Sequence, residues 1–223
     1  MGWIVLIRHG ESEANTSSII SEDIDRFPLT EIGIEQAKLA GKELNGINID
    51  HIYTSPVRRA VHTAEIIGKM TGKSINVENR IRESGFGAYN NKSIEYLRSS
   101  NREALGMEPW SSIVSRMREF AEHSSGNTIA VSHSLPIRAL ISSIIGMNEI
   151  ESFGVEVGYA SFTTIDFDNM KIGSIGARTI TPSLREFLKR NSESGSSFII
   201  LLRNSVLEYS CKTRNKYFLF CQL

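Results

Sequence analysis

Two short apolar runs that each stop at a histidine constrain the fold of this chain more than anything else in it. Residues 3–7 are continuously apolar, with β-branched side chains, and break off at Arg8-His9-Gly10. Residues 128–132 repeat the pattern and break off at Ser132-His133, after which Pro136 opens a helix carrying Ile137, Leu140, Ile141, Ile144 and Ile145. A run of this length without alternation reads as a strand buried on both faces, and such strands belong to parallel sheets covered by helices. The rest of the chain alternates accordingly. Thr30 caps a helix with the apolar set Ile34, Ala37, Leu39, Ala40 and Leu44, ending near Gly46. Residues 50–54 form a strand, and Pro56 starts a helix whose face is Val57, Ala60, Val61, Ala64 and Ile67, closing near Gly72 before a strand at 74–78. A helix covers 110–123, and 162–167 with 171–175 form a hairpin around Asp168-Asn169. The expected fold class is α/β: a three-layer sandwich with a mostly parallel, mixed sheet flanked by helices.

Residues 82–109 are polar and glycine-containing, with one helix expected around 93–100, which predicts a small helical cap insertion at about 84–109. Residues 192–197, Ser-Glu-Ser-Gly-Ser-Ser, read as a linker, so the folded domain is placed at 1–190 and a linker and tail at 191–223. The full 223 residues are ample for a sheet covered on both sides. Lys and Arg total 25 against 25 Asp and Glu, so no global field draws in nucleic acid or an anionic membrane, and any anion site must be local. Cys211 and Cys221 lack the spacing of a disulfide framework or a thiolate metal site. No signal-peptide core or membrane-length stretch is visible, and the expected location is the cytoplasm. The oligomeric state is left open.

In open α/β sheets ligands bind beyond the carboxyl ends of the strands, which is where His9 and His133 both fall. Identical placement after separate strands marks them as a functional pair, whereas His51, His62 and His123 read as ordinary core or surface residues. Arg8 supplies a planar, permanently charged fork suited to a phosphoryl group, Gly10 lets the backbone turn closely round a ligand, and a neutral imidazole is a competent nucleophile.

The wider pattern is more specific. Leu6 to Asn15 reads Leu-Ile-Arg-His-Gly-Glu-Ser-Glu-Ala-Asn; Leu29-Thr30-Glu31-Ile32-Gly33 follows, then Tyr53-Thr54-Ser55-Pro56-Val57-Arg58-Arg59-Ala60, Ile81-Arg82-Glu83 and Val131-Ser132-His133. In order and spacing these resemble the histidine phosphatase (phosphoglycerate mutase-like) superfamily, over about residues 3–175. The resemblance implies a catalytic domain in which His9 attacks phosphorus, Arg8, Arg59 and His133 hold the equatorial oxygens, and Glu83 is the general acid. It adds Asn15 as a phosphate contact, and Ser134 as a substrate-binding position where the family usually has glycine. The family pattern places the binding arginine directly before alanine, which implies Arg59 rather than Arg58 and leaves Arg58 to the distal part of the substrate.

The expected activity is hydrolysis of a small phosphomonoester through a phosphohistidine, without metal or cofactor. The alternative is a phosphoglycerate mutase primed by 2,3-bisphosphoglycerate. Only 50 positions separate Glu83 from His133, little material for a cap that excludes water. Ser84-Gly85-Phe86-Gly87 also stands where phosphoglycerate mutases share Arg-His-Tyr-Gly. Arg58, Arg98 and Arg102 remain candidate carboxylate binders for the mutase alternative. A non-catalytic phospho-ligand binding module is a third possibility. Gly68-Lys69-Met70-Thr71-Gly72-Lys73-Ser74 has one residue too few for a nucleotide-binding phosphate loop and runs from helix into strand, the wrong order.

Overall fold

The computed structural model describes residues 2–95, 102–166, 169 and 171–189. Strand β1 (Ile4–Arg8) lies in the interior of a six-stranded sheet of order β3-β2-β4-β1-β5-β6. Strands β2 (His51–Thr54), β3 (Ile75–Val77) and β4 (Thr128–Ser132) run parallel to it, while the hairpin of β5 (Phe162–Asp166) and β6 (Lys171–Ala177) joins the other edge antiparallel. The sheet is thus mixed, as the alternation of strand and helix followed by a hairpin requires.

The period-two alternation of β1 sends its side chains to two cores. Trp3, Val5 and Ile7 pack with Ala40 of α2 (Glu31–Glu43), with Ala60, Ala64 and Ile67 of α3 (Arg58–Thr71), and with Leu184 and Leu188 of α7 (Pro182–Lys189). Ile4 and Leu6 pack with Ile113, Met117 and Phe120 of α4 (Trp110–His123) and with Ile137, Leu140 and Ile141 of α5 (Ser134–Ile145). Most of these side chains are fully buried, each worth about 1.5–3 kcal/mol of transfer free energy. Helices therefore cover both faces and the fold is the expected three-layer α/β sandwich.

Several local readings shift by a few residues for one reason. Helix α3 begins at Arg58 with Val57 as its N-cap, so Pro56 precedes the helix, and α5 begins at Ser134 with His133 as N-cap, so Pro136 is its third residue. The first turn of a helix has N–H groups with no partner inside the helix, and a proline fits at any of these positions. Thr30 does cap α2, its hydroxyl accepting from the Gly33 N–H at 3.0 Å. Helix α7 has no counterpart in the sequence reading; Trp3 Nε1 donates to the Leu188 carbonyl at 3.2 Å and fastens it to β1. Two one-turn helices, α1 (Glu13–Thr16) and α6 (Glu149–Ser152), were likewise not read.

In the cap, the described residues form short 3₁₀ turns at Gly87–Tyr89 and Glu103–Leu105 around Phe86, Met107, Ile20 and Leu135. The helix expected at 93–100 falls largely outside the described residues; Ser93 instead bridges Ile19. The linker and tail at 191–223 lie wholly outside them.

The loop after β1 rests on the start of α2 with no room for a side chain. A Cβ on Gly10 would lie 2.4 Å from the Gly33 carbonyl oxygen, and one on Gly33 would lie 2.0 Å from that of Glu11. Gly33→Ala should therefore destabilise the protein by about 1–3 kcal/mol and move the residue behind His9. Thermal unfolding and turnover of this variant indistinguishable from wild type would show that the contact is soft.

Candidate active site

The register of β1 against β4 brings the site together. Arg8 pairs with Ser132, so His9 and His133 each follow their strand by one residue, and the His9 N–H donates to the Ser132 carbonyl at 3.0 Å. The two rings end 5.0 Å apart between centroids, at 61° to each other.

Histidine 9 is held in one tautomer. Its Nδ1 lies 2.6 Å from the Gly10 carbonyl oxygen, and because that oxygen can only accept, the proton is on Nδ1 and the lone pair on Nε2. Arg59 Nε donates to that lone pair at 3.1 Å. Burial, then the nearby cations Arg59 and Arg8, push the imidazole well below its ordinary pKa, so the ring is neutral and nucleophilic. Thr63 of α3 steadies the loop, accepting from the Gly10 N–H at 3.1 Å and donating to the Arg59 carbonyl at 2.8 Å.

Arg59 comes from the inward face of α3, one residue after the exposed Arg58, which is why adjacent arginines have different fates. Its Nη2 donates to the Ser21 carbonyl at 2.8 Å and lies 3.3 Å from His133 Nδ1 and 3.5 Å from Glu83 Oε2. Arg8 donates from Nη1 to the Val157 carbonyl at 2.8 Å, and its guanidinium lies 4.0 Å over the Tyr159 ring. One N–H-bearing atom of each guanidinium, Arg59 Nη1 and Arg8 Nε, is buried without a hydrogen-bond partner. Leaving a buried charged donor unpaired is costly, so these two atoms are left available to an anion.

His133 points its other edge away from the site, with Nε2 2.7 Å from Ser55 Oγ, so Nδ1 is the atom that faces Arg59 and Glu83. Burial and the cations Arg59, Arg116 and Arg8, with His9, keep it neutral too. Glu83 follows the 3₁₀ turn Asn79–Ile81; its Oε1 accepts from the Ser84 N–H at 2.9 Å and its Oε2 lies 3.4 Å from His133 Nδ1. The side chain is 11% exposed. Burial raises its pKa more than Arg59, the Ser84 amide, Arg116 and Arg8 lower it, which suits a carboxyl that must hold a proton.

Not every expected residue is drawn into this cluster. Asn15 spends Oδ1 on capping α1, accepting from the N–H and hydroxyl of Ser12 at 3.0 and 2.9 Å, which leaves its amide nitrogen outside the cap. Ser134 is the half-buried first residue of α5, where its N–H belongs to the unpaired first turn. Arg102, a candidate carboxylate binder, is instead buried and donates to the Glu108 carbonyl at 2.8 Å, to Glu149 at 2.9 Å and to the Ser84 hydroxyl. Arg98 lies outside the described residues.

Other residues enter the site unannounced. Ser55 stands directly after β2, the same strand-then-polar placement that marks the histidines, and could have been found that way. Tyr159, Arg116 and the Ser21 carbonyl carry no such mark. Ser21 belongs to a segment that pairs with the cap: the Ile20 N–H donates to Lys92 at 2.9 Å, the Asn91 N–H to Ile20 at 2.8 Å, and Asn90 and Asn91 side chains to Asp23 at 2.7 and 2.9 Å. His9 is 2% and His133 0% exposed. Residues 18–24 thus tie the described part of the cap to Arg59 through the Ser21 carbonyl, which the length of the cap alone does not reveal.

Comparison with known proteins agrees with this geometry. Residues 4–175 match the family model of the histidine phosphatase superfamily, branch 1. A 2,3-bisphosphoglycerate-dependent phosphoglycerate mutase of Thermoplasma acidophilum is 39% identical over 193 residues, covering 82% of this chain and 96% of its own. Phosphoserine phosphatase 1 of Hydrogenobacter thermophilus is 29% identical over 204 residues, 82% of this chain and 95% of its own. Among solved structures, phosphoserine phosphatase of Entamoeba histolytica in complex with 3-phosphoglyceric acid superposes with a TM-score of 0.68 at 24% identity, over 82% of this chain and all of the other, a likeness of fold. With its strand-end histidines, its arginine pair and a family match over most of its length, the chain belongs to the histidine phosphatase superfamily.

Proposed function

We propose that this protein transfers the phosphoryl group of a small phosphomonoester to His9 Nε2 and from there to water. The observation that carries the reading is the pair of buried, unpartnered guanidinium donors, Arg59 Nη1 and Arg8 Nε, together with an imidazole whose lone pair is on Nε2, where Arg59 Nε holds it. As Nε2 bonds to phosphorus, the ester P–O bond breaks and the Glu83 carboxyl gives its proton to the departing oxygen. Charge on the three equatorial oxygens meets Arg8, Arg59 and His133 Nδ1. Water then attacks the phosphohistidine, Glu83 takes its proton, and the P–N electron pair returns to the ring. In this reading the cationic partners of the phosphoryl group are Arg8 and Arg59, so neither metal nor cofactor is required. The ligand is a small phosphorylated molecule, with Asn15, Ser134 and Arg58 offered to its remainder, and neither nucleic acid nor membrane is a partner.

A second reading passes the phosphoryl group to a second hydroxyl of the substrate, a phosphoglycerate mutase primed by 2,3-bisphosphoglycerate. Two observations favour it: the near-complete burial of both histidines, which restricts water, and the identity to the Thermoplasma acidophilum mutase. Incubation with 3-phosphoglycerate, with and without 2,3-bisphosphoglycerate, followed for 2-phosphoglycerate and free phosphate together, separates the two. Phosphate release at least matching isomerisation is expected; isomerisation stimulated by the bisphosphate and far outrunning phosphate release would install the mutase.

A further inference from the structure

We infer that Arg116 and Glu108 act together on the general acid: Arg116 positions the backbone that delivers Glu83, and Glu108 cancels the charge that Arg116 would otherwise bring to it. The inference rests on the reading of Glu83 as general acid. Arg116, on α4, is 8% exposed. Its Nη1 donates to the carbonyls of Arg80 and Arg82 at 2.7 and 2.8 Å, and its Nη2 to that of Glu83 at 3.3 Å. One rigid guanidinium plane thus grips three carbonyls around the acid, a task that a lysine's single point charge performs poorly.

The same grip places a cation behind a carboxyl that must stay protonated, and a nearby cation favours the ionised form. Glu108 answers it in bidentate fashion, accepting from Arg116 Nε at 2.7 Å and from Nη2 at 3.0 Å. The Glu108 carboxylate also takes the Gly85 N–H and Arg82 Nη2, both at 3.1 Å. Arg102, held by the Glu108 carbonyl, reaches the hydroxyl of Ser84, next to the acid. Among the described residues, the other groups facing Glu83 are Arg8 at the end of β1, Arg59 on α3 and His133 at the start of α5, with His9 next to His133 at 5.0 Å between ring centroids. Both imidazoles are neutral, and Arg8 and Arg59 are neutralised by the phosphoryl group when it binds. Arg116 spends its donors on backbone carbonyls and Glu108, so its charge needs a resident counter-ion, and Glu108 is that ion.

The test follows kcat/KM against pH for an alkyl ester, 3-phosphoglycerate, and an aryl ester, p-nitrophenyl phosphate, in wild type, Glu108→Gln and Glu83→Gln. Glu83 works protonated, so the rate on the alkyl ester falls as pH rises through its pKa. Lowering that pKa moves the fall to lower pH. Glu108→Gln should shift this limb down by about one pH unit, roughly a tenfold loss above it, while p-nitrophenyl phosphate, whose phenolate leaves without a proton, loses less than about threefold. An unmoved limb, or equal losses on both esters, would make Glu108 a merely structural residue and overturn the inference. Should Glu108→Gln fail to fold, Glu108→Asp keeps the charge and should keep the limb in place; a limb displaced downward there overturns it equally. Selective loss on the alkyl ester in Glu83→Gln is the control: its absence fails the general-acid reading itself, whereas its presence beside an unmoved limb in Glu108→Gln fails this inference alone.

Discussion

His9→Ala should abolish turnover, lowering kcat by a factor on the order of 10⁴ to 10⁶, because it removes the atom that forms the covalent intermediate. The loss should be the same for alkyl and aryl esters, since attack on phosphorus is common to both. Rapid quenching of the wild-type enzyme with labelled substrate should trap a phosphoryl group that is stable to base and labile to acid, and the label should be missing from the variant. The ring is buried and its Nδ1 proton is held by the Gly10 carbonyl, so the label should sit on Nε2, the nitrogen with the lone pair. His9→Ala with near wild-type turnover, or a label that maps to His133, would overturn the assignment.

Arg59→Met should cost the next largest factor, at least the 10²- to 10³-fold typical of one lost oxyanion donor. More is expected here because one side chain performs three tasks. Nη1, unpartnered, meets the phosphoryl oxygens in the proposed reaction, Nε donates to the lone pair of His9, and Nη2 joins the Ser21 carbonyl to the Glu83 and His133 side of the site. Arg59→Lys restores the charge without the planar fork and should recover only part of the loss. Affinity for inorganic phosphate, measured by titration calorimetry, should fall in Arg59→Met more than in Arg58→Met, whose side chain is exposed. Equal effects of the two substitutions would show that the arginine choice is wrong.

The parts of the fold that could be read directly were those decided by local chemistry. The limits of α4 and β4 follow from their apolar patterns, and the N-cap of α2 from Thr30, because a hydroxyl three residues before an unpaired N–H is a local arrangement. Helix α7 escaped because its partners are distant in sequence: Trp3 and Leu188 meet across the whole chain. The start of α5 shifted because proline is tolerated throughout a first turn, and that of α3 because Pro56 stands before the N-cap Val57, outside the helix, so a proline does not mark a single residue.

The sequence by itself determined the chemistry on offer: two histidines, each set just past a buried strand, an arginine beside one of them, and a resemblance to the histidine phosphatase superfamily that implied Arg59 and Glu83. A strand pattern of this kind dictates where a side chain leaves the sheet, and parallel register then leaves little freedom in where the two histidines meet. Only the tertiary structure decided which atoms face one another. The tautomer of His9 depends on the Gly10 carbonyl, the inward turn of Arg59 on α3 packing, and the anchoring of Arg59 Nη2 on the carbonyl of Ser21, in a segment that pairs with the cap. The raised pKa of Glu83 depends on burial by elements far apart in the chain, which outweighs cations from β1, α3 and α4. These are sums over contacts between distant segments, and a charge buried by one element and answered by another leaves no local pattern to read.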